Sequence, residues 1–286
     1  MKRFAVSILI ILIGAAAARR ANSEEALVRQ DMIVYYMPVN YDNAHYKKQA
    51  LVQGVYYYSG KGLKSSIETQ VEQTNIKYNT DFSYKQQDVS FVYSMYAPAR
   101  KTRAGIHFIR ASTVNDDGMT LFFGSAKYNP NGKTSQFDVY VSKYDGYSPK
   151  VMVYQLSPAV GRTKYKNDGS FLYLQTRGYY IHPTKQIGNN ARDYFSAEQT
   201  VSYTKRNFTA SISGWAGKQI YAVRNDGFAV YNSAEVHRGG YSASVSYSMS
   251  PQTKLTLFAG RESFSDFGYD NSASSTQIGF SAGHTF

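Results

Sequence analysis

Side chains that commonly carry catalytic chemistry are sparse in this chain. It has no cysteine and only five histidines in 286 residues, which excludes thiol chemistry and Cys-ligated metal sites. Nucleophilic catalysis by serine needs a base within hydrogen-bond reach. His182, in Tyr-Tyr-Ile-His-Pro, has no serine at a neighbouring position on its own face. His107 is expected to face the interior alone. We therefore expect no enzyme, no cofactor and no metal site.

Charged side chains are a second source of chemistry, and they favour binding over catalysis. Lys and Arg number 32 against 20 Asp and Glu, a formal net charge of +12. Four acids occur on segments with strand-like alternation: Glu68, Glu72, Asp138 and Glu198. Basic residues gather instead near turn-like segments: Arg100, Lys101, Arg103, Lys164, Lys166, Lys205 and Arg206. The function of the acids and of the basic residues depends on the strands and turns in which they lie.

The last twelve residues, 275–286, show the pattern of those elements most clearly. Every second residue from the end is apolar, aromatic or histidine, and the residues between are small or polar: Phe286, His284, Ala282, Phe280 and Ile278 share one face. Residues 241–250 repeat the pattern, with Tyr, Ala, Val and Met on one face and five serines on the other. A period of two predicts β-strands. The serine face suits water and the apolar face suits hydrocarbon.

The final strand resembles the closing strand of Gram-negative outer-membrane β-barrels, which end on Phe or Trp with apolar residues at alternate positions upstream. His284 departs from that pattern, because the family usually has Tyr or another apolar residue there. The resemblance implies an all-β, transmembrane, antiparallel up-and-down barrel in the outer membrane. It also implies that Phe286, Phe280 and Ile278 form an assembly signal for the barrel-insertion machinery, and that outer-membrane lipids surround the wall.

The N-terminus predicts export. Lys2 and Arg3 precede an apolar stretch over residues 4–18, and small residues follow. This is typical of a secretory signal peptide, which we expect over residues 1–23, followed by the barrel over 24–286. No later apolar run approaches the ~20 residues that a membrane-spanning helix needs.

Alternation along the chain predicts fourteen strands, with twelve or sixteen as alternatives. An even number places both termini on the periplasmic side, where the family's final strand ends. Leu121-Phe122-Phe123 leaves the faces of one strand ambiguous, and Pro158 predicts the end of another. The strands are expected near residues 31–38, 50–59, 64–77, 87–97, 103–112, 118–128, 134–143, 149–157, 169–181, 194–205, 207–217, 239–250, 252–262 and 275–286.

The predicted connections fall into two groups. Short ones rich in turn residues lie on the periplasmic side: 59–63, 98–102, 129–133, 158–168, 205–207 and 250–252. Longer ones lie outside: 40–49, 182–193, 218–238 and 263–274. The basic residues named above then form a periplasmic rim. They could bind anionic lipid headgroups, concentrate anions or an anionic polymer, or dock an acidic partner.

The four acids are expected to face the barrel lumen. In a water-filled bore they would act as selectivity groups; alternatively, they form salt bridges with lumenal basic residues such as Lys254. The predicted function is a porin-like passive channel for small hydrophilic solutes, with 218–238 as candidate gate. A barrel that exports or assembles a surface polysaccharide and a structural or adhesive surface barrel are the alternatives. The signal peptide argues against nucleic-acid binding despite the basic charge.

Overall fold

The structure, a computed structural model, describes residues 28–61, 64–113, 116–147, 150–186 and 191–286. The predicted signal peptide lies outside these residues. The described chain forms a closed antiparallel barrel of fourteen strands, as predicted. Within the described ranges, no helix has the length and apolar character needed to cross a membrane.

Fourteen long strands build the wall, and two short strands form a separate hairpin. The short pair is β12 (Val223–Arg224) and β13 (Ala229–Val230). The wall strands are β1 (Val28–Asp42), β2 (Lys47–Lys61), β3 (Ser65–Tyr78), β4 (Ser83–Ala97), β5 (Arg100–Ala111), β6 (Gly118–Tyr128), β7 (Lys133–Tyr144), β8 (Val151–Tyr165), β9 (Phe171–Pro183), β10 (Tyr194–Lys205), β11 (Phe208–Gln219), β14 (Val236–Ser248), β15 (Thr253–Ser265) and β16 (Ala273–Thr285).

Each wall strand pairs with the next wall strand in the chain, and β1 pairs with β16 to close the barrel. Met32 lies opposite His284 at one end of this closure, and Asp42 lies opposite Ser274 at the other. The Phe286 N–H donates to the Gln30 carbonyl at 2.9 Å. Closure leaves no unpaired strand edge. A bilayer requires this, because its core holds no water to satisfy backbone groups.

Side chains alternate between lipid and lumen as the sequence predicts. On β4, Val89, Phe91 and Tyr93 are exposed on the outer surface, while Ser90 and Val92 are buried inside. The apolar set would otherwise crowd a narrow bore, whereas outside it can contact acyl chains. The predicted faces of this strand are confirmed.

The eighth strand differs from the prediction. It continues through Pro158 to Tyr165, so the turn to β9 spans 166–170 rather than 158–168. Because proline has no N–H, the ladder to β9 skips from Leu156–Tyr180 to Ala159–Arg177. The ladder to β7 is uninterrupted. One weakened edge does not end a strand whose other edge is fully paired.

Strands on the outer side are also longer than predicted. The first outer connection spans only 43–46 instead of 40–49, because β1 and β2 extend to Asp42 and Lys47. The long connection after β11 is confirmed. Residues 220–235, here called the inner loop, join β11 to β14 and contain the β12–β13 hairpin.

The inner loop folds into the barrel. Asn225, Asp226 and Gly227 have φ values of 48°, 59° and 102°, and this left-handed run reverses the chain between β12 and β13. A Cβ at Gly227 would lie 2.5 Å from the ring of Phe122 on β6. Glycine is therefore needed for the turn and for the close approach to the wall.

Candidate functional site

Two arginines of the wall hold the tip of the inner loop. Arg103 on β5 and Arg177 on β9 lie 2.8 and 3.1 Å from the Asp226 carboxylate. Both also contact Asp138 on β7, at 2.9 and 3.3 Å. We call Arg103, Asp138, Arg177 and Asp226 the latch. It ties three wall strands to the inner loop.

Burial differs within the latch. The side chains of Asp138 and Arg103 are 1% and 7% exposed, whereas 45% of the Asp226 side chain is open to the lumen. A Cβ at Gly124 would overlap Asp138, so glycine makes room for the wall half of the latch. Burial alone would raise the pKa of Asp226, but Arg103 and the second arginine hold it well below the usual aspartate range. Asp226 is therefore ionised at neutral pH.

His107 also contacts the inner loop, and the expectation that it stands alone is wrong. Its Nε2 lies 3.0 Å from Asp88, and its Nδ1 lies 2.7 Å from the Ser90 hydroxyl and 3.0 Å from the Gly227 carbonyl. Strand register explains this cluster, since Ser90 pairs directly with His107 across β4 and β5. The residue types match a catalytic triad. The serine is only 1% exposed beneath the loop, so no substrate can reach it, and the cluster anchors the loop.

Arg224 anchors the other flank of the inner loop. Its guanidinium lies 2.8 Å from Glu198 on β10 and 3.0 Å from Glu262 on β15. It also lies 5.2 Å from the ring centre of Trp215 on β11, within cation–π range. The Tyr231 hydroxyl donates to Glu262 at 2.8 Å. This flank is polar, unlike the apolar flank described next.

Apolar packing joins the outer part of the inner loop to the β7–β10 wall. Ile220 and Tyr221 are fully buried in one cluster with Tyr144 and Ile181. The two tyrosine rings, Tyr144 and Tyr221, lie 4.7 Å apart. Apolar burial of this kind stabilises by about 25 cal/mol per Å². The inner loop is thus packed into the barrel and not laid across its mouth.

A cavity of about 610 Å³ remains on the other side of the inner loop. Its walls are the inner loop and residues of β1–β5, β10, β11 and β14–β16. Its lining mixes carboxylates, aromatic and aliphatic side chains, and the small residues Ser213, Ser242 and Ser244. The volume is within the range of ligand pockets in proteins.

All four acids that were predicted to face the lumen do face it. Three of them form ion pairs. Glu68 lies 3.7 Å from Lys101, and Asp138 and Glu198 pair with Arg103 and Arg224 as described. These partners, and not Lys254, provide the salt bridges considered from the sequence. The fourth acid, Glu72, accepts hydrogen bonds from Tyr35 at 2.6 Å and Gln70 at 3.2 Å and has no cationic partner among the described residues.

The structure places the predicted rim residues in two different locations, the lumen and the exposed end of the barrel. Arg103 is not a rim residue but part of the latch inside the barrel, and Lys101 also faces inward. Both alternate with outward-facing neighbours on β5, and this parity turns them into the lumen. The other five are exposed, in strand ends and turns at the end of the barrel that carries the chain termini: Arg100, Lys164, Lys166, Lys205 and Arg206. Lys205 pairs with Asp168 at 3.2 Å.

The predicted assembly residues lie on the outer surface of β16. Ile278, Phe280 and Phe286 are all exposed, and the Phe280 ring lies 5.9 Å from that of Tyr36 on β1. The apolar face of the last strand thus points towards lipid, as its alternation predicts.

Several interior residues were not identified from the sequence. Arg224, Asp226 and Glu235 were expected among exposed outer-loop charges, but they contact the wall from inside. Arg177 was not singled out either. Its charge could have placed Arg177 in the lumen, because a cation in the middle of a strand is costly on the lipid face, but the apolar Tyr179 and Ile181 on the same face indicate the opposite. Nothing in the local sequence predicts that the loop folds inward.

Comparison with known proteins rests on structure alone. No protein-family model matches the chain, and no curated protein matches its sequence. A bacterial polysaccharide outer membrane secretin is similar, with a TM-score of 0.54 and 10% identity over 92% of this chain and 100% of that one. The Acinetobacter baumannii outer membrane protein Omp33 has a TM-score of 0.52 and 10% identity over 90% and 99%.

A Pseudomonas aeruginosa FadL homologue is similar to the same degree, with a TM-score of 0.52 and 9% identity over 91% of this chain and 90% of that one. None of these three structures is named as an enzyme. At such low identity the likeness shows the fold alone. Together with the closed fourteen-strand wall, it shows that this chain has the closed antiparallel β-barrel fold of these outer-membrane proteins.

Proposed function

We propose that this barrel is a porin-like passive channel for small hydrophilic solutes, with the inner loop as its constriction. The observation that carries the proposal is the asymmetric packing of the inner loop. It is latched to one side of the bore and leaves the 610 Å³ cavity on the other. A solute would pass through that cavity, along serine, glutamine and carboxylate side chains that replace part of its hydration.

The test is single-channel conductance of the refolded full-length chain in planar bilayers. We expect a small, steady conductance for the parent. Replacing residues 221–234 by a short Gly/Ser linker empties the bore and should raise the conductance severalfold. A variant with the same linker in place of the exposed residues 267–270 is the control and should conduct like the parent. Absence of conductance in both parent and loop variant would reject the channel.

A polysaccharide-export barrel is a second candidate, favoured by the likeness to the polysaccharide secretin. An anionic polymer would have to displace the inner loop, because the loop fills the bore beside the cavity. An anionic oligosaccharide added on the periplasmic side would then block current in the parent and more strongly in the loop variant. Block by a neutral oligosaccharide of equal length would argue for simple solute passage. If neither protein conducts, the structural or adhesive class remains.

We also propose that the exposed rim residues bind anionic lipid headgroups of the inner leaflet, and that Phe286 is read by the barrel-insertion machinery. Their exposure on the outer surface supports both roles. Deleting Phe286 should sharply lower the heat-modifiable, folded form in outer membranes. Deleting the same number of residues from the exposed turn 249–252 is the matched control. Normal folded abundance without Phe286 would contradict the assembly role.

A further inference from the structure

The cavity beside the inner loop is acidic, although the chain as a whole is basic. Two cations line it, Lys47 and Arg224, together with two histidines, His107 and His237. Five carboxylates line it as well: Glu72, Asp88, Glu198, Glu235 and Glu262. Lys47 pairs with one of these acids and Arg224 with two others. One surplus charge therefore stays with the two acids that share Arg224, and the other two lie on Glu72 and Asp88, which pair with neither cation.

That surplus centres on Glu72. Glu72 lies directly opposite Asp88 in the β3–β4 ladder, so two carboxylates face each other on the lumenal surface. Like charges in this arrangement destabilise a sheet. Asp88 has His107 at 3.0 Å, but no cation contacts Glu72 among the described residues. Gly54 on β2 has no side chain, and this lets the Tyr35 ring lie across the wall and donate to Glu72.

Beyond the polar groups that contact Glu72, part of the cavity wall is apolar. Met37, Val39, Val52 and Ile76 line the cavity from β1 to β3, and the ring of Phe228 lines it from the inner loop. An inorganic ion would gain little from such a surface, because it would lose hydration without replacement ligands. An organic ligand could bury carbon there.

Trp215 also lines the cavity, but it is only 7% exposed. Its indole Nε1 lies against Gly240 of β14, where a Cβ would come within 2.8 Å of it, and the ring packs against Arg224. The indole N–H is therefore not available to a bound molecule.

We propose that the cavity binds small organic cations: an ammonium beside Glu72 and an apolar body against the β1–β3 wall. Carboxylate, aromatic rings and aliphatic wall together match the chemistry of an amine with a hydrocarbon body. The role in selecting a solute rests on the proposed channel function, but binding itself does not require conduction.

The test uses three probes that share a phenol ring and differ in charge: tyramine, tyrosol and 4-hydroxyphenylacetate. Isothermal titration calorimetry on the refolded full-length barrel measures their binding. We expect tyramine to bind about tenfold more tightly than neutral tyrosol, the gain of one charge-assisted hydrogen bond. The anionic probe should show no binding. Equal affinity for tyramine and tyrosol would overturn the proposal.

Glu72→Gln is the decisive variant, because glutamine still accepts from Tyr35 while losing the charge. It should reduce the tyramine preference to less than about twofold. Glu72→Asp, which retains the charge, should restore part of it, and Asp145→Asn on the outer surface should change nothing. Heat-modifiability confirms that each variant is folded. An unchanged preference in folded Glu72→Gln would reject the site.

Conductance separates this proposal from the channel hypothesis. If the parent conducts, tyramine should block or carry current more than tyrosol does, and Glu72→Gln should abolish the difference. Binding of tyramine by a barrel that never conducts would support the site and reject the channel. Conduction without any preference in binding would support the channel and reject the site.

Discussion

The two sides of the inner loop differ in how the wall meets it. On the latched side, strands β5–β9 present large or charged side chains such as Arg103, Tyr140 and Arg177, and these are buried against the loop. On the cavity side, β11 and β14 present Ser213, Ser242 and Ser244 at the same face. Small side chains cannot reach the loop across the bore. Residue volume on the lumenal face therefore decides where the constriction packs and where the cavity remains.

The largest effect on this difference is expected when Asp138, the acid that the wall contributes to the latch, is removed. Asp138→Ala removes the buried acid and leaves Arg103 and Arg177 to share Asp226 alone, so one of their two buried charges is uncompensated. Losing one partner of a buried ion pair costs about 3–5 kcal/mol. We expect that loss in urea unfolding from detergent micelles. Removing the exposed acid of the Lys205–Asp168 pair is the control and should have little effect. Equal stability of both variants would show that the latch does not stabilise the fold.

A second pair of variants compares the two sides directly. Ser142 on β7 is 1% exposed and bonds to Thr120, whereas Ser244 lines the cavity. Ser142→Arg should lower the free energy of unfolding by about 1–3 kcal/mol or more through overpacking and an unpaired charge. Ser244→Arg should change it little, because its guanidinium can reach lumenal water. Similar melting temperatures for the two variants would contradict the division into a packed side and an open side.

A smaller effect is expected at the loop half of the latch. Asp226→Asn keeps the shape but weakens contacts that water already screens, so a loss of about 1 kcal/mol or less is expected. Its main result should be more frequent opening events in single-channel records. Asn225→Asp, which leaves Asp226 in place, is the control.

Lowering the pH should weaken the same contact between Asp226 and the two arginines. Because the pKa of folded Asp226 is lowered, its contribution is complete above the unfolded aspartate pKa near 4 and is lost only as pH falls through the lower folded value. Parent conductance should therefore stay constant from pH 7 to about pH 5 and rise only in stronger acid. Opening already near pH 5 would show that another group controls the loop.

The smallest effect on selectivity is expected at the rim. Arg100, Lys205 and Arg206 lie at exposed positions outside the cavity. Changing all three to Gln should leave the reversal potential in a KCl gradient unchanged in neutral lipid. Stability in anionic bilayers should fall, by about 1 kcal/mol per residue at most. Lys101→Gln, on the lumenal side, is the matched comparison. A shift towards cation preference in the triple variant would show that the rim concentrates anions.

Much of the wall could be predicted from local pattern. The strand count, the closing strand and the lipid face of β4 follow from the period-two alternation, because a side chain on a strand has only two directions available. Pro158 misled the prediction at β8, since its cost depends on whether the other edge of the strand is paired. At Leu121-Phe122-Phe123 the alternation did not indicate which side chains face the lumen. Contacts with Val92 and Tyr140 turn the middle ring inward.

The interior was decided by tertiary structure. The sequence alone determines that Glu72, Asp138 and Glu198 face the lumen, because side chains two positions apart on a strand point to the same side. It does not determine their partners. Asp138 meets Arg177 only through the curvature of the closed wall, and Asp226 meets both arginines only because a sixteen-residue connection folds inward. The energy of that folding comes from burial against distant strands, and no local pattern encodes these contacts between residues 39 to 123 positions apart.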